Sequence, residues 1–207
     1  MATGKRISPK TMGLFTLFAA DVCAWKSIGF LGSGANLDAP PVTFSEALKF
    51  WWHYPAVRAT LIYRVSHWCY RNHIRLVPGM LWRMNIRRFG LDILPSVSIG
   101  PGLFIPHPVG TVVVARGLGR NVRLNPNITI GPRTTFESPL IGSDVTIGAG
   151  ARILGGIVIG DGATIGANAV VIDDVPPGAT VVGIPGKPIK FREAHAPKQT
   201  MEIFHSS

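Results

Sequence analysis

The sequence predicts a mainly β protein, a parallel β-helix wound from six-residue repeats and preceded by an α-helical N-terminal region. The first observation is the stretch IGSDVTIGAGARILGGIVIGDGATIGANAVV, where Ile or Val recurs at every sixth position from Ile141 to Val171. A helix repeats its apolar residues every three or four positions and a half-buried strand every two, so neither explains a period of six. The second observation is another anchor four residues into each block, filled by small residues such as Ala151 and Ala163.

Three six-residue strands would form one triangular coil, in which each anchor points inward and stacks on the anchor one coil later. Gly, Asn and Asp after each Ile would occupy the corners, where a positive φ is needed. The repeat begins at Ile93, shifts by one residue at Val112, is interrupted by PRTTFESPL and resumes at Ile141. We expect a surface loop at the interruption, and the prolines of DDVPPGATVVGIPGKPI end the repeat.

Residues 1–42 are interpreted as a basic tail, an apolar helix and a linker, GSGANLDAPP. The stretch MGLFTLFAADVCAWKSIGFLG imitates a signal peptide, but Asp21 and Lys26 interrupt the apolar run and no cleavage-site pattern closes it. We therefore expect an amphipathic helix in a cytoplasmic protein, with peripheral contact at the inner membrane face as an alternative.

Residues 43–90 are predicted to be helical, residues 91–190 to form the β-helix, and residues 191–207 to form a tail. Thr43 or Ser45 is expected to cap the helix in TFSEALKFWWHY, and Pro55 to start the next one. Pro78 and Gly79 are expected to break the chain before the helix MLWRMNIRRF. The residues of the second helix with the spacing of a buried face are Val57, Leu61, Val65 and Trp68.

Composition limits the classes of function. The 207 residues suit one good-sized domain, alone or with a small partner, and 46% hydrophobic against 15% charged residues supports a large core. Cys23 and Cys69 have no disulfide or metal-ligand spacing and are expected to pack in the core. The net charge of +10 is scattered and has no nucleic-acid motif beside it, so we expect no nucleic acid. An anionic cofactor or anionic membrane lipids are the preferred partners.

With this repeat in place, the chain resembles the hexapeptide-repeat acyltransferases, whose left-handed β-helices use acetyl-CoA or another acyl-CoA. More narrowly, residues 50–191 resemble the serine acetyltransferase branch. The resemblance implies acetyl-CoA as the acyl donor, no metal, and a homotrimer or dimer of trimers with active sites between neighbouring β-helices. The segments that carry it are YRVSHW, FGLDILPSVSIGPGLFIPHPVGTVV and IGAGARILGGIVIGDGATIGANAVVIDDVPPGATVVGIPGKPI.

Transfer of an acetyl group from a thioester to a hydroxyl needs a base to remove the hydroxyl proton, and histidine suits that role. His107 is the only histidine in the β-helix region, and the resemblance matches its segment PHPVG to the family's DHATG-like catalytic segment. The family's partner aspartate matches Asp92 in LDILP, 15 positions earlier. His107 as a surface turn residue and Asp92 as a helix-terminating residue are the alternatives. His67 is expected to pack in the core or an interface.

The resemblance also implies a cofactor site built from peptide groups. The pantetheine arm of acetyl-CoA would contact turns at Gly131, Ala149 and Ala167, where a larger side chain would block its approach. Lys187, with Lys190 nearby, would meet the CoA phosphates. The alternatives are ordinary corner residues for the first three and solvated charges for the two lysines.

Three positions depart from the family's acceptor motifs. Pro106, Ala115 and Ser138 replace residues of the amino-acid pocket, and Arg133 supplies one remaining positive charge. We therefore predict a sugar hydroxyl of a polysaccharide or glycolipid precursor as acceptor, similar to polysaccharide O-acetyltransferases of the colanic-acid type. Serine O-acetylation in cysteine biosynthesis is the alternative within the enzyme class, and a non-catalytic β-helix scaffold is the alternative outside it. A metal-dependent hydrolase would need more than one histidine in the coils.

Overall fold

Helices form the N-terminal part of the computed structural model and short strands form the rest. The structure describes residues 12–31, 42–134 and 137–191. The helices among these residues are α1 (Leu14–Leu31), α2 (Phe44–His53), α3 (Pro55–Arg71) and α4 (Val77–Phe89). The strands are β1 (Leu91–Ile93), β2 (Thr111–Val113), β3 (Gly117–Leu118), β4 (Arg123–Leu124), β5 (Thr129–Gly131), β6 (Leu140–Ile141), β7 (Thr146–Ile147), β8 (Arg152–Leu154), β9 (Val158–Ile159), β10 (Thr164–Ile165), β11 (Val170–Val171), β12 (Ala179–Val182) and β13 (Lys187–Phe191).

The strands stack into three sheets, which are the three faces of a triangular solenoid. The first face has the order β1-β2-β5-β8-β11, the second β3-β6-β9 and the third β13-β12-β10-β7-β4. Apart from the antiparallel β12–β13 pair, all of these strand pairs are parallel. In the later coils Arg152 pairs with Val170, 18 positions on, as three six-residue strands require. The predicted left-handed parallel β-helix with preceding helices is confirmed.

Changes in coil length explain the irregular part of the repeat. Asp92 pairs with Val112, 20 positions on, and Val112 pairs with Thr129, 17 positions on. The first coil is therefore longer than 18 residues and the second is shorter. The next coil is longer, because Thr129 pairs with Arg152. Its extra residues lie between β5 and β6, where the interruption of the repeat predicts a loop.

Most anchors are buried as expected, but Val109 is 67% exposed and Val112 points outward, with Val113 buried in its place. The corner residues divide into two types. Apart from Gly131, the glycines directly after an anchor have no room for a side chain: a Cβ on Gly148 would lie 2.5 Å from the backbone nitrogen of Ala167. The positive φ falls two positions further on, at Gly150 (φ 73°) and Asn168 (φ 57°). The expected positive φ among the Gly, Asn and Asp residues of the corners is therefore confirmed at these later positions, whereas close stacking of the coils selects the first glycine.

Thr43, and not Ser45, caps α2. The backbone N–H of Glu46 donates to Thr43 Oγ1 at 3.3 Å, and the backbone N–H of Thr43 donates to Glu46 Oε2 at 3.0 Å. Lys26 of α1 also donates to Glu46 Oε1, at 2.7 Å. Hydrogen bonds from Lys26 and Thr43 lower the pKa of Glu46 to about 2. One carboxylate therefore completes the cap and joins α1 to α2.

The predicted buried face of α3 is wrong in part. Val57 is buried, but Trp68 is 45% exposed, and Leu61 and Val65 are half-buried. The helix lies between α1, α4 and the first coil, so small and hydrogen-bonding side chains line its contacts. These residues are Ala56, Val57, Ala59, Thr60, Tyr63, Arg64, Ser66, His67 and Cys69.

The boundary of α4 also differs from the prediction. The helix begins at Val77 and includes Pro78 in its first turn, where no backbone N–H is needed for the helix. It ends at Gly90, which adopts a left-handed conformation with φ 66°. Pro78 and Gly79 therefore start the helix and do not precede it.

A buried ion pair fixes the helices to the first coil. Arg64 Nε donates to Asp21 Oδ2 at 2.8 Å, and Arg64 Nη2 donates to Asp21 Oδ1 at 2.9 Å. Asp21 Oδ1 also accepts from the backbone N–H groups of Gly102 at 3.1 Å and Leu103 at 2.8 Å. Burial raises the pKa of Asp21, and Arg64 and these N–H groups oppose the rise. Asp21, which interrupts the apolar run of α1, therefore attaches this helix to the solenoid.

Candidate active site

His107 lies at the corner where the third face of the solenoid turns into the first. It follows Phe104, which forms a parallel bridge with Arg123, and it precedes β2. Pro106 and Pro108 flank it, and the Pro108 carbonyl accepts a hydrogen bond from Thr111 N–H at 3.1 Å. The side chain is exposed, and its ring forms no hydrogen bond with another described residue. The ring is therefore open to solvent at this corner.

Asp92 lies in the middle of β1 on the neighbouring coil, with its side chain half-buried and outward from the core. Trp82 of α4 donates its indole N–H to Asp92 Oδ1 at 2.8 Å. The structure forms no hydrogen bond or ion pair between the Asp92 and His107 side chains. Trp82 is the contact that sequence reasoning missed, because nothing in the local pattern relates a helix position to a strand ten residues later.

Gly90 brings the two coils together beside these residues. A Cβ on Gly90 would lie 3.2 Å from Val109 Cα, so the residue two positions before Asp92 packs against the residue two positions after His107. Gly90 is also the residue that ends α4, so Asp92 does not terminate that helix. Asp92 and His107 therefore occupy the same side of the solenoid on adjacent coils.

A ladder of backbone hydrogen bonds runs up this corner across four coils. Asn127 N–H donates to Val109 O at 3.1 Å, Gly150 N–H to Pro126 O at 3.0 Å, and Asn168 N–H to Ala149 O at 2.8 Å. The residues at this level of the turn are Val109, Pro126, Ala149 and Ala167, and we call this column the His107 corner. Two of the predicted cofactor residues, Ala149 and Ala167, thus stack in line with the turn that carries His107.

Gly131 lies on the same face but at its other end. It pairs with Leu154 at the end of β8, and its carbonyl accepts from Gly155 N–H at 2.9 Å. A Cβ on Gly131 would meet no atom within 4 Å, although the residue is buried. The missing side chain leaves space that a bound group can occupy, whereas Gly148 has none.

Lys187 lies next to the last turn of the His107 corner. It is the exposed first residue of β13 and lines a cavity of about 290 Å³ together with Asp173 and Asp174. It pairs with Val182 at the end of β12, and a Cβ on Gly166, the residue before Ala167, would lie 2.7 Å from Val182 Cγ1. The structure therefore places Lys187 at the same end of the third face as Ala167.

Two of the positions that depart from the acceptor motifs, Ala115 and Ser138, lie beside Arg116 or within the loop between β5 and β6, whereas Pro106 precedes His107. Arg116 Nε donates to the Ser138 carbonyl at 3.0 Å, and its Nη2 donates to the Gly156 carbonyl at 3.4 Å. Ala115 is half-buried against the core. Arg133 is exposed on the other side of the loop. Arg116 is a further residue that sequence reasoning missed, and it holds the end of the loop to two coils.

The described ranges contain no group of three or more His, Cys, Asp or Glu side chains that could hold a metal ion. None of the helices in those ranges has the length and apolar character that crossing a membrane requires.

A comparison with protein families matches residues 138–173 to the bacterial transferase hexapeptide (six repeats) model. Serine acetyltransferase of Helicobacter pylori is 37% identical over 140 residues, covering 66% of this chain and 82% of that protein. Serine acetyltransferase of Synechococcus elongatus is 36% identical over 140 residues, and the chain spans only 57% of that relative's length.

Solved structures of serine acetyltransferases also match this chain. The serine acetyltransferase of Neisseria gonorrhoeae superposes with a TM-score of 0.73 at 32% identity, covering 86% of this chain and 66% of that one. The soybean serine acetyltransferase apoenzyme superposes with a TM-score of 0.72 at 33% identity, covering 85% and 69%. These relatives contradict the sugar acceptor predicted from Pro106, Ala115 and Ser138, and they favour the alternative of serine O-acetylation. A role in polysaccharide synthesis loses its support with that acceptor.

Proposed function

The chain belongs to the serine acetyltransferase family, and from this membership we propose that it transfers the acetyl group of acetyl-CoA to the hydroxyl of L-serine. The observation that carries the proposal is the position of His107, exposed on the corner that also carries Ala149 and Ala167. A cytoplasmic location is part of the proposal.

His107 is proposed as the general base. As the serine oxygen attacks the thioester carbonyl carbon, His107 takes the hydroxyl proton, a C–O bond forms, and the C–S bond breaks. The imidazolium then returns its proton to the sulfur, so free CoA thiol and O-acetylserine leave. The exposed ring, free of hydrogen bonds to described residues, supports this role because neither nitrogen is already engaged.

Asp92 is proposed to stabilise the imidazolium that forms on His107. Its Oδ1 accepts from Trp82, so its second oxygen is the one that can face the histidine. The close approach of Gly90 to Val109 supports this arrangement, since it keeps the two coils in contact beside both residues. Apo catalytic hydrogen bonds often shorten only when substrate is bound.

Acetyl-CoA is proposed to lie along the first face, against Ala149, Ala167 and Gly131. The small side chains at the His107 corner and the open space at Gly131 fit an extended pantetheine arm. Lys187 is proposed to meet the CoA phosphates from the last coil. The net charge of +10 favours such an anionic ligand.

A homotrimer, or a dimer of trimers, is proposed as the assembly, with each cleft formed by two neighbouring solenoids. The outward side chains of the first face support it, because most of them are apolar and only half-buried in the single chain. They are Leu94, Val112, Val114, Leu154, Val170 and Ile172.

For the acceptor, Arg133 is proposed to bind the serine carboxylate. It is exposed at the start of the loop between β5 and β6, whereas Arg116 already donates to two carbonyls. Pro106 lacks the charge that would pair with the serine ammonium, so we expect a weaker hold on serine than on acetyl-CoA.

The test is an assay of thiol release from acetyl-CoA with and without L-serine. We expect serine-dependent release that falls at least about 100-fold in His107→Ala. His53→Ala is the matched control, because His53 is also exposed and lies on α2. Serine-independent rates, or equal rates for wild type and His107→Ala, would contradict the proposal.

A further inference from the structure

The hairpin of α3 and α4 exposes an unusual amount of apolar surface. Every residue from 70 to 77, at the turn between the two helices, is exposed. Leu76 is 78% exposed and Met80, one turn into α4, is 65% exposed. We call the turn and the outward residues of α4 the hairpin surface. In the described residues no other helix or strand covers it.

The outward residues of α4 are all apolar or arginine. A solvated helix face ordinarily carries charged side chains of both signs and uncharged polar ones. Here apolar and guanidinium groups alternate along the helix, the composition of helices that lie in a membrane interface. The exposed residues of α4 are Val77, Met80, Arg83, Met84, Arg87 and Arg88.

Charge around this surface has one sign. From residue 47 to residue 91 the sequence contains eight Lys and Arg residues and no Asp or Glu. One of them, Arg64, is paired with a buried carboxylate, that of Asp21. The hairpin surface therefore attracts anions, and among the described residues the acidic group in contact with α4 is Asp92, which accepts from Trp82.

This charge argues against a second copy of the chain as the occupant. In a two-fold contact the same patch meets itself, so the arginines of α4 would face the arginines of the partner's α4. Like charges brought together in an interface are unfavourable. The occupant must instead supply many negative charges next to an apolar layer.

We propose that the hairpin surface binds a bilayer containing anionic phospholipids. Leu76 and Met80 enter the boundary between headgroups and acyl chains, while Arg83 and Arg87 contact lipid phosphates. This inference goes beyond acetyl transfer and does not depend on it, since none of these residues belongs to the candidate active site.

The experiment is cosedimentation of the full chain with vesicles of phosphatidylcholine, alone or with roughly 30% phosphatidylglycerol. We expect binding to the anionic vesicles only, and its loss at about 0.5 M salt. Arg87→Glu should weaken binding roughly 30-fold and Leu76→Gln roughly tenfold. The matched controls are Arg123→Glu on the third face and Ile189→Gln on β13, and both should bind as wild type.

Three results would overturn the proposal. The first is absence of binding to the anionic vesicles, or equal binding to both kinds. The second is unchanged binding by Arg87→Glu and Leu76→Gln. The third is a smaller molecular mass of these variants in solution without lipid, which would make a second copy the occupant. If the partner were an acidic protein, the chain would not bind vesicles, which is the first of these results.

Discussion

Arg64 and Asp21 are 43 positions apart in the sequence, yet they form a bidentate ion pair that is almost completely buried. The pair also reaches the backbone of the first coil: Arg64 donates to the carbonyls of Ile99 and Gly100, and Asp21 accepts from Gly102 and Leu103. The coil segment it fixes leads directly to His107. The ion pair therefore connects the helical region to the coil segment that leads to the candidate base.

Breaking this pair should destabilise the protein strongly. Asp21→Asn leaves the Arg64 charge buried without a counter-ion, and we expect a loss of about 3–5 kcal/mol in the free energy of unfolding. Lys26→Met, which removes the more exposed pair with Glu46, should cost much less. Urea denaturation of both variants measures the difference.

The same pair should show coupling in a double-mutant cycle. Asp21→Asn and Arg64→Met together should cost less than the sum of the two single changes, because each removes the same interaction. Additive losses would mean that the two side chains contribute independently, through their separate backbone hydrogen bonds.

Trp82 should affect turnover more than cofactor binding. Trp82→Phe keeps an aromatic ring but removes the N–H that donates to Asp92 Oδ1, so the carboxylate loses a fixed orientation. We expect kcat to fall roughly tenfold, with the KM for acetyl-CoA unchanged, and Asp92→Asn to lower kcat further. Trp68→Phe is the control, because Trp68 is 45% exposed. Equal kcat values for Trp82→Phe and wild type would remove Trp82 from the site.

Gly131 and Gly148 should respond differently to a side chain. Gly131→Leu projects into open space, so we expect little change in stability but at least a tenfold rise in the KM for acetyl-CoA. Gly148→Ala places its Cβ 2.5 Å from the Ala167 backbone and should instead lower stability. Thermal melts and KM values separate the two effects. An unchanged KM for Gly131→Leu would exclude Gly131 from the cofactor cleft.

His67 should make stability depend on pH. Burial, together with the nearby Arg64 and Arg71 charges, lowers the pKa of His67 below its ordinary value of 6.5, while its hydrogen bond to Pro95 O opposes the shift. The unfolded chain therefore binds a proton more readily than the folded one. His67 therefore does not reduce the free energy of unfolding above about pH 6.5, and it lowers that free energy as the pH falls below this value.

Chemical denaturation at pH 7.5 and at pH 5.5 measures this loss. In His67→Gln, which keeps a side-chain N–H for the Pro95 carbonyl, the part of the pH dependence due to His67 should disappear. The same pH dependence in the variant and in the wild type would mean that another group titrates.

Much of the solenoid could be predicted because its information is local. A period of six with Ile or Val at each anchor, from Ile141 to Val171, permits few other backbones, and the structure has the expected 18-residue coils there. The cap at Thr43 and the start of α3 at Pro55 are local as well. The face of α3 was predicted wrongly because helical spacing identifies apolar positions, while three neighbouring elements decide which side is buried.

The candidate site also has a part that could be predicted from the sequence and a part that could not. The sequence predicted His107, Asp92, Ala149 and Ala167 as site residues through segments that resemble the family's motifs. Only the tertiary structure decided that these two alanines stack in line with the His107 turn, that Lys187 lies next to the last of these turns, and that Trp82 holds Asp92. The physical reason is that coil length sets which residues become neighbours, and one loop or one extra residue changes every pairing that follows.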